Sequence, residues 1–156
     1  MKIPILLFTL LFTFGLKAQE MHFSWSDEAR VCLNTIYNLE FEKARIQLKA
    51  LETESPNNLV RVLLADYIDF FYLMIKEDPA YLDEHIKLKS KRIEALEALD
   101  KKDPYRSFAQ AEIKLHWALS RIRLEEYLSA ILDLNKAFKE LKQLEEQHPD
   151  FMPSKK

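Results

Sequence analysis

Residues 59–76 read LVRVLLADYIDFFYLMIK, and this stretch decides the fold class. Large apolar side chains recur in it at every third or fourth position, the spacing of one face of an α-helix. They are Val60, Leu63, Leu64, Tyr67, Ile68, Phe71 and Ile75, and Phe70, Leu73 and Met74 extend the face around the helix. A lone surface helix has a narrower apolar stripe, so we expect this helix to be packed on two sides.

The rest of the composition agrees with an all-α fold. The chain has 156 residues, which suits one domain, and its single glycine is Gly15. β-Sandwiches, Rossmann domains and P-loop enzymes need glycines for tight turns and for phosphate-binding loops. These classes are therefore excluded.

Proline and short polar links divide the chain after residue 19 into about six helices. Asp78-Pro79 and Asp103-Pro104 each pair a helix-capping carboxylate with a proline suited to the first helical position. Ser24 and Asp27 have the spacing of a capping box at the start of the first helix. The predicted helices cover 27–38, 41–54, 59–76, 79–99, 104–123 and 127–147. Short links between such helices predict three antiparallel hairpins.

Two of the predicted hairpins carry a matching motif. The first copy has Phe41, Ala44, Leu48 and Leu51 followed by Ser55-Pro56-Asn57-Asn58, and the second has Tyr127, Ala130, Leu134 and Ala137. A small residue, Cys32 or Ala118, stands twelve positions before the key alanine of each copy. This pattern resembles the tetratricopeptide repeat, although the family's glycine and early tryptophan are absent and the third and fourth helices fit no repeat register. The resemblance implies a short α-solenoid of stacked hairpins over residues 19–149, with a tail at 150–156.

The first eighteen residues have the pattern of a secretory signal peptide. Lys2 precedes an uncharged, mostly apolar run over residues 3–16, and Ala18 offers a cleavage site. A membrane-spanning helix needs about 20 residues, which is longer than this run, so a retained anchor is the weaker alternative. We expect export to the periplasm or cell envelope of a Gram-negative bacterium, and no integral span after cleavage.

The net charge and the cysteine content lead to two further expectations, one about nucleic-acid binding and one about disulfide bonds. Removal of Lys2 and Lys17 with the signal peptide changes the formal net charge from −2 to −4. An acidic exported chain is a poor ligand for nucleic acid, so no such partner is expected. The lone Cys32 cannot form an internal disulfide, and its apolar spacing predicts a small buried side chain.

Catalytic motifs are missing from the sequence. Glu112 and His116 stand four residues apart, as two metal ligands could, but no third ligand lies nearby in the sequence, so an i,i+4 polar pair is the better explanation. Asp66 and Asp69 interrupt the apolar third helix, and we expect them to be exposed or paired with Arg61 or Lys76. No cofactor and no enzymatic activity are predicted.

The tetratricopeptide resemblance also implies a site. In that family, peptides or partner helices lie in a concave groove formed by the first helix of each hairpin. When the family's groove positions are counted from the key alanine of each motif copy, they fall on Leu33, Ile36, Tyr37, Glu112, Leu115, Leu119 and Arg123. Tyr37, Glu112 and Arg123 are the stronger candidates, because the apolar members have core packing as an alternative. The implied function is a non-catalytic protein-binding or peptide-binding scaffold.

Two alternatives to a free-standing scaffold remain open. Pro104-Tyr105, Ala111-Glu112-Ile113 and Trp117-Ala118 are similar to the N-terminal part of longer exported bacterial repeat proteins. The chain could thus be the N-terminal structural or sensory segment of a larger envelope assembly. A metal-binding protein or enzyme using Glu112 and His116 is the second alternative.

The last predicted helix has a second apolar side at Leu128 and Leu132. Stacked hairpins need a polar or covered outer face at each end of the stack. Either the tail folds back over these leucines, or a further repeat or a partner covers them. We expect the latter, including self-association through this helix, because a short tail with two prolines buries little apolar surface.

Overall fold

The computed structural model describes residues 20–151, which are all-α, with no β-strand element in that range. Helices account for 77% of these residues, which confirms the predicted fold class. The helices are α1 (Asp27–Tyr37), α2 (Phe41–Glu54), α3 (Val60–Lys76), α4 (Pro79–Leu96), α5 (Pro104–Arg123) and α6 (Tyr127–Gln147). The fourth helix ends at Leu96, three residues before the predicted end at residue 99, because a turn begins at residue 97. The predicted signal peptide lies outside the described residues.

The helices form a stack of three hairpins, α1/α2, α3/α4 and α5/α6. Both helices of the first hairpin contact α3, and both helices of the second contact α5. The first helices of the hairpins, α1, α3 and α5, therefore form one row. This arrangement explains the wide apolar stripe of α3, which packs against helices on both sides. Among the described helices, α6 packs mainly against α5, and one ion pair, Asp133 with Lys89, joins it to α4.

The turn inside each hairpin has the same backbone conformation. Leu39, Glu77 and Glu125 have φ values of 63°, 51° and 65°, and each lies two residues before the second helix of its hairpin. A left-handed residue commonly ends a helix, although glycine usually occupies that position. The repeated turn shows that the α3/α4 hairpin follows the same plan as its neighbours.

Small residues allow the two helices of the first hairpin to approach closely. Cys32 and Ala44 are completely buried, and the Cys32 thiol donates to the Ala44 carbonyl oxygen at 3.6 Å. The prediction for Cys32 is confirmed, and burial raises the pKa of its thiol to about 11. Ala118 and Ala130 are equally buried in the third hairpin.

Two of the three helix caps predicted from the sequence are present in the structure. Asp78 accepts hydrogen bonds from the backbone N–H groups of Ala80 and Tyr81, and Asp103 accepts one from Tyr105. The prediction of a capping box at Ser24 was wrong.

Ser26 is the N-cap of α1 and accepts from the backbone N–H of Ala29. Ser24 is instead fixed by Asn58, whose side-chain amide donates to the carbonyl and hydroxyl oxygens of Ser24.

The two ends of the described chain meet at Tyr105 on α5. Phe23 stacks on Tyr105 with ring centroids 4.8 Å apart, and Phe151 packs edge-on against the same ring at 5.0 Å. The described part of the tail therefore covers α5 and not Leu128 or Leu132, which stay exposed. Within residues 20–151, no helix has the length and apolarity that crossing a bilayer requires.

Candidate functional site

The row of first helices brings two of the predicted groove residues to one surface. Tyr37 of α1, which is 52% exposed, packs edge-on against Tyr67 and Phe71 of α3 at centroid distances of 6.2 and 5.7 Å. The Tyr67 hydroxyl donates to Glu112 Oε2 of α5 at 2.8 Å. Tyr37, Tyr67 and Glu112 thus form a continuous patch across three helices, which we call the tyrosine–glutamate patch.

Burial and a neighbouring carboxylate raise the pKa of both hydroxyl groups in this patch. Burial raises the pKa of Tyr67, and the adjacent Glu112 carboxylate raises it further. Burial also raises the pKa of Tyr37, an effect that the hydrogen bond with Tyr67 partly opposes. The patch therefore offers neutral hydroxyl groups beside one carboxylate, a combination suited to peptide N–H donors.

The remaining groove candidates are more dispersed. Arg123 pairs with Glu77, and both side chains are about half exposed. Eleven residues of helix separate Arg123 from Glu112, or about 16 Å at 1.5 Å per residue. Ile36 is completely buried and belongs to the core, while Leu33, Leu115 and Leu119 are partly buried.

A buried charge network lies beneath the tyrosine–glutamate patch. Asp66 Oδ1 accepts from Arg92 Nη1 at 2.9 Å and from Trp117 Nε1 at 2.8 Å. Asp69 Oδ2 accepts from Arg92 Nη2 at 2.5 Å. The side chains of Asp66 and Asp69 are 0% and 3% exposed, so the prediction of exposure or pairing with Arg61 or Lys76 was wrong.

The reason for the error is the position of α4. Its Arg92 reaches across to α3 and binds both carboxylates with the two arms of one guanidinium group. The Tyr81 hydroxyl, also on α4, donates to Asp69 Oδ1 at 2.6 Å. Helices α3, α4 and α5 are thereby joined through two buried aspartates.

His116 connects the buried network to the patch above it. Its Nδ1 lies 2.8 Å from Asp66 Oδ2, and its Nε2 lies 3.5 Å from Glu112 Oε2. Phe70 stacks on the imidazole with centroids 4.4 Å apart, and only 5% of His116 is exposed. Among residues 20–151, no group of three or more ligand side chains is placed to hold a metal ion. The contacts of His116 fix α5 against α3.

A second surface lies on the outer side of α6. Five large apolar side chains there are more than half exposed: Tyr127 55%, Leu128 84%, Ile131 52%, Leu132 63% and Phe138 65%. We call these five residues the α6 face. On the opposite side of α6, Asp133 pairs with Lys89 of α4 at 2.5 Å, and Glu140 pairs with Lys114 of α5. These ion pairs hold α6 in place and leave the α6 face open.

A third surface lies at the other end of the stack, on the first hairpin. It is a groove of about 360 Å³ between α1 and α2. Its lining consists of Asp27, Glu28, Val31, Gln47, Ala50, Leu51 and Glu54. We call it the acidic groove, because three of these side chains are carboxylates and none is a cation.

Comparison of the chain with models of protein families, with curated proteins and with solved structures finds no match. Function is therefore inferred from the three surfaces themselves.

Proposed function

We propose that this protein is a non-catalytic protein-binding scaffold of the tetratricopeptide-repeat type, exported to the cell envelope of a Gram-negative bacterium. The observation that carries the proposal is the α6 face. Large contiguous apolar patches on soluble domains commonly mark sites of protein contact. Export is supported by the sequence pattern of residues 1–18.

The equivalent positions in α2 indicate what the α6 face does. When the two motif copies are aligned, Tyr127 and Ile131 correspond to Phe41 and Arg45. Phe41 contacts Tyr72 of α3 with centroids 6.0 Å apart.

Arg45 donates to the Tyr81 hydroxyl of α4 at 3.1 Å. Both α2 positions therefore contact the next hairpin of the stack. At the same positions α6 has exposed apolar side chains, as expected if another protein element packs there.

The tyrosine–glutamate patch supports the same function at a second place. Its aromatic rings already pack on one another across α1 and α3, so these side chains would lose little further conformational entropy when a peptide binds. The patch suits a short segment with free N–H donors. The α6 face suits a folded apolar partner.

Replacing two leucines tests the function of the α6 face. Leu128→Glu with Leu132→Glu places two charges where the face is most exposed, and Gln143→Glu with Gln147→Glu makes the same charge change elsewhere on α6. Chemical crosslinking in envelope fractions, followed by identification of stoichiometric products, is the measurement. We expect a crosslinked protein, either a partner or a second copy, that the leucine variant loses and the glutamine variant keeps.

Equal products from both variants would refute binding through the α6 face. A product of fixed stoichiometry indicates a segment of a larger envelope assembly. A set of varied short peptides that persists in the leucine variant indicates the tyrosine–glutamate patch.

A further inference from the structure

We infer that the α6 face binds the acidic groove of a second copy of this chain, so that copies associate head to tail. This inference rests on the proposed function and names the partner of the α6 face. It follows from the charges and apolar side chains at the two ends of the stack, which complement each other.

The α6 side of the contact is apolar and basic. From Leu128 to Lys142 the exposed ionisable side chains are Lys136, Lys139 and Lys142. The two acidic residues in this range, Asp133 and Glu140, are directed away from the α6 face and are paired with lysines of α4 and α5. The exposed side of this stretch therefore presents three cations around its apolar residues, while the exposed carboxylates of Glu126, Glu145 and Glu146 lie beyond its two ends.

The groove side of the contact is apolar and acidic. Asp27, Glu28 and Glu54 supply three carboxylates. Val31, which is 52% exposed, lies among them, and Ile46 on the adjoining surface of α2 is 73% exposed. Hydrogen bonds from its own backbone N–H and from Ser26 lower the pKa of Glu28. Opposite charges around two apolar surfaces favour one orientation of binding.

The two surfaces belong to opposite ends of one stack. Helices α1 and α2 contact each other and α3, whereas α6 contacts α5. A copy therefore cannot place its own α6 in its own acidic groove without dismantling the stack. Contact between unlike surfaces of two copies is heterologous, and it continues to longer chains unless the rotation between copies closes a ring.

Complementary variants test the orientation directly. The α6 variant carries Leu128→Glu and Leu132→Glu, and the groove variant carries Val31→Lys and Glu54→Lys. Each is compared with wild type, all starting at Gln19, by sedimentation velocity over a wide concentration range. Gln143→Glu with Gln147→Glu and, separately, Glu52→Lys provide control variants with similar charge changes outside the two surfaces.

Head-to-tail binding predicts a specific pattern. Wild type and both controls should associate increasingly with concentration, and less at high salt because charged side chains take part. Each surface variant alone should remain monomeric. An equimolar mixture of the two should recover a one-to-one dimer, because the intact groove of one variant can bind the intact α6 face of the other.

Other outcomes overturn the inference and separate it from the proposed function. A groove variant that associates as wild type does would show that the α6 face binds a surface other than the groove. A wild type that stays monomeric would also overturn self-association. In both cases the proposed function stands if crosslinking still gives a partner that depends on Leu128 and Leu132. Matching circular dichroism melting curves among the variants confirm that altered folding does not cause the differences.

Discussion

Replacing Arg92 with methionine should destabilise the fold more than any surface substitution. Arg92 is the cation that both buried aspartates share, at 2.9 Å from Asp66 and 2.5 Å from Asp69. Methionine keeps most of the apolar stem of the side chain and removes the charge. The substitution thus leaves two carboxylates buried beside each other with only neutral hydrogen-bond donors and the imidazole of His116.

The size of the effect follows from the burial of these groups. Removing one partner of a buried ion pair costs about 3–5 kcal/mol, because the remaining charge stays desolvated. Asp66 keeps its hydrogen bond from Trp117 and its contact with His116, and Asp69 keeps one from Tyr81, so we expect about 3 kcal/mol. A domain of this size has a total stability of about 5–15 kcal/mol, so the loss should be evident.

Urea denaturation followed by far-ultraviolet circular dichroism measures the loss. Lys76→Met is the matched control, since Lys76 is an exposed cation on α3 and its removal should change stability by less than about 0.5 kcal/mol. Adding Asp69→Asn to the Arg92→Met variant should recover part of the loss, because one of the uncompensated charges disappears. A loss below about 1 kcal/mol for Arg92→Met, or no recovery in the double variant, would refute this account of the buried network.

Three further outcomes are expected. Protein recovered from the envelope should have the intact mass of a chain beginning near Gln19, and a mass that includes Met1 would contradict export with cleavage. Ala44→Leu or Ala130→Leu should lower the free energy of unfolding by about 1–3 kcal/mol through overpacking, and unchanged urea midpoints would show that neither alanine lies at a close helix crossing. Because burial raises the pKa of Cys32 from 9.0 to about 11, the folded state holds a proton that the unfolded state loses in this range. Stability should therefore fall as the pH rises through it, and Cys32→Ala should reduce that slope in pH-dependent urea titrations.

The sequence predicted the helices well where local chemistry determines them. The apolar stripe of residues 59–76 and the Asp-Pro pairs at 78–79 and 103–104 depend on residues that are close together in the chain, so the sequence alone reveals them.

The repeat register of the second hairpin was missed for a structural reason. Phe70 and Leu82 occupy the positions at which the other hairpins have small residues, so the motif disappears although the turn at Glu77 is retained.

The buried charge network was missed because its cation comes from a distant part of the chain. Arg92 follows Asp69 by 23 residues and ends a run of basic residues that has the composition of a solvent-exposed helix face. Periodicity cannot tell which members of that run point inward, and Lys87 and Lys91 are indeed exposed. A usable signal did exist, since two aspartates within the widest apolar stripe need a buried donor.

The buried network also bears on where this protein can bind a partner. Asp66, Asp69 and Arg92 satisfy one another inside the stack, and His116 is covered by Phe70, so these groups have little capacity left for a ligand. Their hydrogen bonds instead fix α3, α4 and α5 as a rigid middle section. The proposed binding surfaces are instead the tyrosine–glutamate patch, which lies on the solvent side of α1, α3 and α5, and the two ends of the stack. A rigid centre holds the two ends at a constant spacing and orientation, which is what repeated head-to-tail contact between copies requires.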